Sequence, residues 1–317
     1  MMEKSRLKDS SKDLMDFVCL RNRLKEDGYL LIRSFISKEE TSLLRNEISQ
    51  NLWGSSNINF AGANIQDPRN GSNYNKAYSL ESVHQFWHKK KIITFFESLF
   101  NQDIIMHPKI VLRNSYKNTY TPAHQDWPQV QGSKNTLGVW MALNQVERDG
   151  GVLEIAESSH KKGIIEHYPN QKTGGLCLND KGYNWLSTKM NEGDIIIFSC
   201  LVIHRTSRNT RDTVRQSIDT RFQPLKEKIS KNSLEPFIQD TWNNIYSTWK
   251  DKNLAWYWKN YTLDIGEFDN YFEIANSIQI IKEYNNNNEL WKTALRRVTS
   301  RAPSPHLKNL AKKILNE

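Results

Sequence analysis

Between residues 103 and 224 the chain breaks into short apolar runs bounded by turns, and this pattern restricts the fold more than any other feature. Ile104 to Tyr116, Leu137 to Val146, Gly151 to Ala156, Asp194 to His204 and Val214 to Gln223 each read as a strand. They are rich in branched and bulky residues, and turn signals such as Asp149-Gly150-Gly151 and Glu192-Gly193-Asp194 separate them. Short strands that follow one another without long intervening helices predict an antiparallel sandwich or jelly roll. The expected class is therefore α+β, a mostly β core with flanking helices.

The flanks read differently. Leu14 to Lys25 predicts a helix closed by Asp27-Gly28, and Tyr29 to Ile36 a strand. Ser37-Lys38-Glu39-Glu40 matches a capping box, after which Leu43, Leu44 and Ile48 continue at helical spacing. Residues 54–78, rich in Asn, Ser and Gly, predict a long loop and a candidate lid. A helix from Leu80 to Phe100 carries His84 and His88 four residues apart. No acidic residue lies between them as in a helical metal motif, so both are assigned to packing.

After Pro224, Trp242, Ile245, Tyr246 and Trp249 fall at i, i+3, i+4 and i+7, the core stripe of a helix. Tyr271 to Ala275, Leu290 to Val298 and Leu307 to Ile314 predict further helices. The expected organisation is a domain over 1–225, with a helical flank to about 102 and a jelly-roll core over 103–224, then a helical extension over 226–317. That extension is a candidate lid, partner site or surface for oligomer formation.

Composition narrows the setting. Cys19, Cys177 and Cys200 show no C-x-x-C spacing, which disfavours a disulfide framework or zinc ribbon and fits a reducing compartment. The first residues have no apolar signal core, and no run approaches 18 apolar residues, so a cytoplasmic protein without a membrane span is expected. The formal charge of +9 comes without any basic-aromatic nucleic-acid motif. It reads as a lysine-rich surface, with a mild preference for an anionic small-molecule substrate over nucleic acid.

Against this frame stands Thr121-Pro122-Ala123-His124-Gln125-Asp126. On an extended strand, residues i and i+2 point to one side, so the His124 imidazole and the Asp126 carboxylate converge. Together they are two-thirds of the face that holds non-haem Fe(II). The third ligand belongs on a facing strand, and the buried run Asp194 to Phe198 leads out to His204. Arg215 follows eleven residues later, on the returning arm of an expected hairpin. A buried guanidinium needs an anion and suits a bidentate carboxylate.

His-x-Asp, then His, then Arg eleven residues on resembles the Fe(II)/2-oxoglutarate dioxygenases. The surrounding text is similar to the phytanoyl-CoA dioxygenase family over residues 26–224. The resemblance lies in His124-Gln125-Asp126-Trp127, Gly138 to Leu143, Asp149 to Leu153, Ser158 to Gly163, and Gly193-Asp194 ahead of His204. It implies a double-stranded β-helix (jelly roll, cupin-like). It further implies Fe(II) on His124, Asp126 and His204, 2-oxoglutarate and O2 as cosubstrates, and Arg215, Thr206, Gln125, Trp140 and Met106 as cosubstrate contacts. Related halogenases replace the carboxylate with a small residue; Asp126 therefore points to hydroxylation. His160 stands where the family has Pro-Gly-Ser-His, here Glu157-Ser158-Ser159-His160, and is read as structural. Two rivals use the same ligands, a zinc hydrolase and a catalytically silent binding protein. Metal content and succinate release separate them.

Overall fold

The structure, a computed structural model, describes residues 6–54, 72–169, 176–238 and 240–266, and beyond them 277, 279–282, 292, 295, 296, 298, 299 and 305–316. The strands are β1 Tyr29–Ile32, β2 Ile104–Met106, β3 Val111–Ser115, β4 Leu137–Ala142, β5 Leu153–Ala156, β6 Tyr168–Pro169, β7 Leu176–Cys177, β8 Trp185–Leu186, β9 Ile195–Ser199, β10 His204–Thr206, β11 Arg215–Pro224, β12 Ile229–Ser230 and β13 Ile265–Gly266. The helices are α1 Phe17–Asp27, α2 Lys38–Trp53, α3 Ser72–Tyr78, α4 Glu81–Phe86, α5 Lys90–Phe100, α6 Trp127–Val130, α7 Trp242–Ser247 and α8 Pro305–Asn316.

The larger sheet runs β1-β9-β4-β11-β2, with β3 also on β11, and the smaller runs β10-β5-β8. All of these pairings are antiparallel. The two sheets together form the double-stranded β-helix. Nearly every side chain of the larger sheet is buried because both of its faces are covered. Alternation along each strand sorts the residues between two cores. Leu30, Ile32, Val139, Met141, Ile195, Ile197, Ile218 and Phe222 meet the helices. Tyr29, Leu31, Trp140, Ala142, Ile196 and Phe198 meet Leu153, Ile155 and Leu186 of the smaller sheet.

Helix α5 shows how the flank is held. Ile92, Phe95, Phe96 and Leu99 form its buried stripe, and Asn101 in the left-handed region (φ 55°) closes it. Phe96 stacks on Phe222 of β11, with centroids 3.9 Å apart and planes 7° from parallel. Helix α1 starts at the Asp16 cap, which accepts from Cys19 N at 2.9 Å, and ends at Gly28 (φ 85°). A Cβ at Gly28 would lie 2.4 Å from His160 Nδ1 and from Val202, so glycine is required there. His160 itself bonds Lys25 O at 3.0 Å, at the helix end.

Several elements differ from expectation. The run Asp194 to His204 is two strands in two sheets, β9 and β10, joined by a corner at 200–203. The expected helix over 80–100 divides into α4 and α5 with no proline or glycine at the break; the fully buried Trp87 sits there instead. Of the expected lid, residues 55–71 lie outside the described residues, and 72–78 are helix α3. The expected helix over 271–275 also lies outside them, as does most of 290–298.

The chain after Pro224 stays with the domain as far as residue 266. Strand β12 pairs with β13, and Ile245, Tyr246, Trp249 and Trp258 join the core under the larger sheet. Trp242 stacks on Tyr246 at 5.1 Å and 14°. Ile280, Leu295, Val298 and Ala311 form a separate small cluster. Among the described residues no helix is long and apolar enough to cross a membrane.

Candidate metal centre

His124 and His204 are a hydrogen-bonded cross-strand pair. His124 N donates to His204 O at 3.0 Å and His204 N donates back to His124 O at 2.9 Å. Directly opposed residues project to the same face, and the two rings lie 4.3 Å apart. Each Nδ1 meets the carbonyl two residues earlier, Pro122 O at 2.8 Å and Val202 O at 3.1 Å. Such a bond keeps the proton on Nδ1 and leaves the Nε2 lone pair for a metal.

Asp126 arrives by a route different from the expected strand. The chain turns helical at this residue (φ −74°, ψ −36°), which is the N-cap of α6. Aspartate at an N-cap ordinarily accepts from the helix N–H groups, yet this side chain makes no capping bond. Its Oδ1 lies 3.8 Å from His124 Nε2 and 3.7 Å from His204 Nε2. Its Oδ2 accepts from Arg221 Nε at 3.1 Å and Nη2 at 2.8 Å. Two imidazole nitrogens and one carboxylate oxygen thus fall within 4.8 Å of one another, all on buried residues.

The electrostatics suit a divalent cation. Burial, then the neighbouring His204, pushes the His124 imidazole down to about 3, and burial lowers His204 as well. Burial alone would raise Asp126, but the Arg221 charge, followed by His204 and His124, holds it below the usual carboxylate range. Near neutrality the set is therefore two neutral imidazoles and one carboxylate, the donor set that suits non-haem iron.

Arg215 reaches this region from the opposite sheet and not from a hairpin with β10, since β11 pairs with β2, β3 and β4. Its Nε donates to Gly151 O at 3.0 Å and its Nη1 to Ser217 Oγ at 2.8 Å. Among the described residues no carboxylate pairs with it. Burial and the like charge of Arg113 push it down to about 9. The guanidinium lies 5.8 Å from the centroid of Trp140, whose buried Nε1 has no hydrogen-bond partner among the described residues. A buried cation without an ion-pair partner among the described residues, beside an orphaned donor, fits a dicarboxylate cosubstrate.

The cavity at the centre is lined by His124, His204, Trp140, Phe198, Thr206 and Arg113, among others. Trp140 and Thr206 stand on its wall, and Thr206 Oγ1 accepts from Thr121 N at 2.7 Å. Two expected contacts lie elsewhere. Gln125 points away from its neighbours His124 and Asp126 and spends its amide on Gly163 O, Leu201 O and Ile165 N at 2.6–2.8 Å. Met106 pairs with Phe222 and packs in the helix-side core. The wider cleft between α2, α4 and α7 is lined by Glu47, Glu81, Lys250 and neighbouring residues, with no histidine or cysteine among the described residues.

Sequence reasoning missed Arg113, Asp219 and Arg221. Asp219 accepts from Arg221 Nη1 at 3.1 Å and pairs with Arg113, which joins the cavity wall to Asp126. Their signal was available: Arg215, Ser217, Asp219 and Arg221 alternate along one predicted strand and so share a face.

Comparison with known proteins gives a consistent picture. The sequence model of a family described as phytanoyl-CoA dioxygenase matches residues 24–217. The 1-deoxypentalenic acid 11-beta-hydroxylase of Streptomyces arenae is 24% identical over 238 residues, which is 67% of this chain and 83% of that protein. The peroxisomal phytanoyl-CoA dioxygenase of Bos taurus is 22% identical over 267 residues, 75% and 79% of the two chains. Among solved structures, the epimerase SnoN with Fe3+, alpha ketoglutarate and nogalamycin RO aligns with a TM-score of 0.53 and 16% identity. That alignment covers 69% of this chain and 87% of SnoN. The apo non-heme monooxygenase ThoJ aligns with a TM-score of 0.51 and 17% identity, over 66% and 79% of the two chains. At these identities the structural likenesses concern the fold.

Proposed function

The chain belongs to the phytanoyl-CoA dioxygenase family, and from that premise we propose that it hydroxylates an unactivated C–H bond of an anionic small molecule, with Fe(II) and 2-oxoglutarate. One observation carries this reading. Two outward Nε2 atoms and one carboxylate oxygen face a common point, and the buried Arg215, close to Trp140 of the cavity wall, has no ion-pair partner among the described residues. His124, Asp126 and His204 would hold the iron, and Arg215 the distal carboxylate of 2-oxoglutarate. Bound there, iron with 2-oxoglutarate and O2 supplies the oxidising power for C–H hydroxylation, with release of succinate and CO2.

The protein's own part is orientation and exclusion. Pro122 O and Val202 O fix both imidazole tautomers. Trp140, Leu153 and Phe198 provide an apolar wall that keeps water from the reacting centre. Thr206 and Trp140 are the further cosubstrate contacts proposed. Arg113, Arg205 and Arg221 line the cavity but are already paired, with Asp219, with Glu154 and Asp180, and with Asp126 and Asp219 respectively, so the anionic assignment rests on the formal charge of +9. The three free cysteines support a reducing, cytoplasmic setting.

The test is anaerobic addition of Fe(II) and 2-oxoglutarate, watching for the weak visible charge-transfer band of the chelate. Succinate release with carboxylated and neutral candidate substrates follows. No band in folded, iron-loaded protein would remove this reading and bring forward zinc hydrolysis or silent binding. Faster turnover of neutral substrates would remove the anionic assignment alone.

A further inference from the structure

Strand β11 turns Arg215, Asp219 and Arg221 to one face, and the reading above gives Asp219 and Arg221 no role at the metal. Asp219 and Arg221 are buried and Arg113 of β3 is half-buried, and none is needed to ligate iron or to bind 2-oxoglutarate. The sheet register explains how Arg221 reaches the site. Arg221 is opposite Gly138 on β4, and Gly138 is opposite Phe198 on β9. A Cβ at Gly138 would lie 2.8 Å from the Phe198 ring and 3.4 Å from Asp126 Oδ2. Glycine there leaves the guanidinium a path to the carboxylate.

We propose that Arg221 is a positioning residue that confines Asp126 to single-oxygen metal coordination, so that the positions needed by the 2-oxo acid stay open. The inference rests on the iron and 2-oxoglutarate reading. Two donors of Arg221, Nε and Nη2, go to one oxygen, Oδ2, at 3.1 and 2.8 Å, and Oδ1 alone faces the two Nε2 atoms. Asp219 anchors the guanidinium from behind through Nη1 and is itself held by Arg113. Without Arg221, Oδ2 is free to turn to the metal as a second donor. Asp126 then occupies a position that the keto acid requires, and its charge is no longer offset.

The sign of the effect separates this role from a merely structural one. Outer-shell changes ordinarily weaken metal binding roughly 10–100-fold. Here Arg221→Met should bind Mn(II) at least as tightly as the unaltered protein, while the apparent Kd for 2-oxoglutarate rises roughly 10–100-fold. Water-proton relaxation by the Mn(II)-loaded variant should fall, because the second carboxylate oxygen displaces a water. Arg221→Lys keeps a cation beside Oδ2 and should recover part of both signals. Thermal melting of both variants, with and without Mn(II), reports folding.

The proposal is overturned if Arg221→Met binds metal and 2-oxoglutarate like the unaltered protein, or loses both together with its melting temperature while Arg221→Lys shows no recovery. Should Arg221→Met fail to fold, the relaxation and 2-oxoglutarate affinity of Arg221→Lys decide alone, and values equal to the unaltered protein's sink the idea. An unaltered protein that gives no chelate band refutes the underlying functional reading instead.

Discussion

Arg215→Met should make the metal-free protein more stable while destroying its affinity for 2-oxoglutarate. In the structure Arg215 is buried, its like-charged neighbour is Arg113, and no described carboxylate pairs with it. A fall from the ordinary 12.5 to about 9 corresponds to a charged form that folding disfavours by roughly 5 kcal/mol at neutral pH. Methionine keeps the length and removes the charge. It also forfeits the bonds to Gly151 O and Ser217 Oγ, about 1 kcal/mol each. The net expectation is a gain of about 3 kcal/mol in urea unfolding of the metal-free protein at pH 7. With Mn(II) and saturating 2-oxoglutarate the order reverses, because only the unaltered protein gains the buried ion pair. Truncating one partner of such a pair costs about 3 kcal/mol, on the order of 100-fold in Kd. A variant less stable than the parent when metal-free, or equally stabilised by 2-oxoglutarate, would refute the reasoning that the fold holds this cation in readiness for an anion.

Other substitutions probe other parts of the same frame. Asp126→Ala removes the one carboxylate oxygen facing both imidazoles and should abolish metal-dependent turnover; full iron-dependent succinate release would sink the triad assignment. Gly138→Ala drives a methyl group to 2.8 Å from the Phe198 ring, whose centroid is 4.6 Å from that of His204. It should cost about 1–3 kcal/mol of stability and weaken the chelate band, and an unaltered band would show that Phe198 yields without moving His204. His84 is buried, bonds Tyr78 O at 2.9 Å, and is pushed by burial down to about 4. Its unfolded value of about 6.5 is higher, so its stabilising contribution is full above that pH and is lost as pH falls through 4. Between pH 7 and pH 4 this loss is about 3 kcal/mol; His84→Gln should flatten the pH dependence of unfolding by that amount, and an unchanged slope would refute the assignment.

The legibility of the site followed the directness of each signal. His124 and Asp126 were readable from their spacing, His204 from its place at the end of an apolar run, and Arg215 from lying eleven residues after it. Strand alternation brings both histidines to one face, although Asp126 reaches it through a helical turn that the spacing did not show. The same alternation argues against Gln125, which sits between two inward residues and must face outward. Met106 was assigned by resemblance alone, and its register opposite Phe222 sends it to the other core. Arg113, Asp219 and Arg221 were passed over because strand reading followed apolar residues, whereas the inward face of β11 is charged. The break between α4 and α5 had no local cause to read. It depends on packing around Trp87, a long-range property.

That charged inward face raises the question of what keeps β11 in place. Arg215, Ser217, Asp219 and Arg221 contribute little apolar burial, and buried charges are costly unless paired and hydrogen-bonded. The opposite face supplies the adhesion. Ile218 and Phe222 lie in the helix-side core, and Phe222 stacks on Phe96 and meets Trp87 edge-on. Hydrogen bonding adds to it, since β11 is paired with β4 on one side and with β3 and β2 on the other. Placed centrally, the strand can carry side chains that an edge strand would release to water. The helical flank α4–α5 is therefore part of the active-site frame. It holds Arg215 and Arg221 in fixed positions on the face it does not touch, and so separates the residues that stabilise the strand from those that use it.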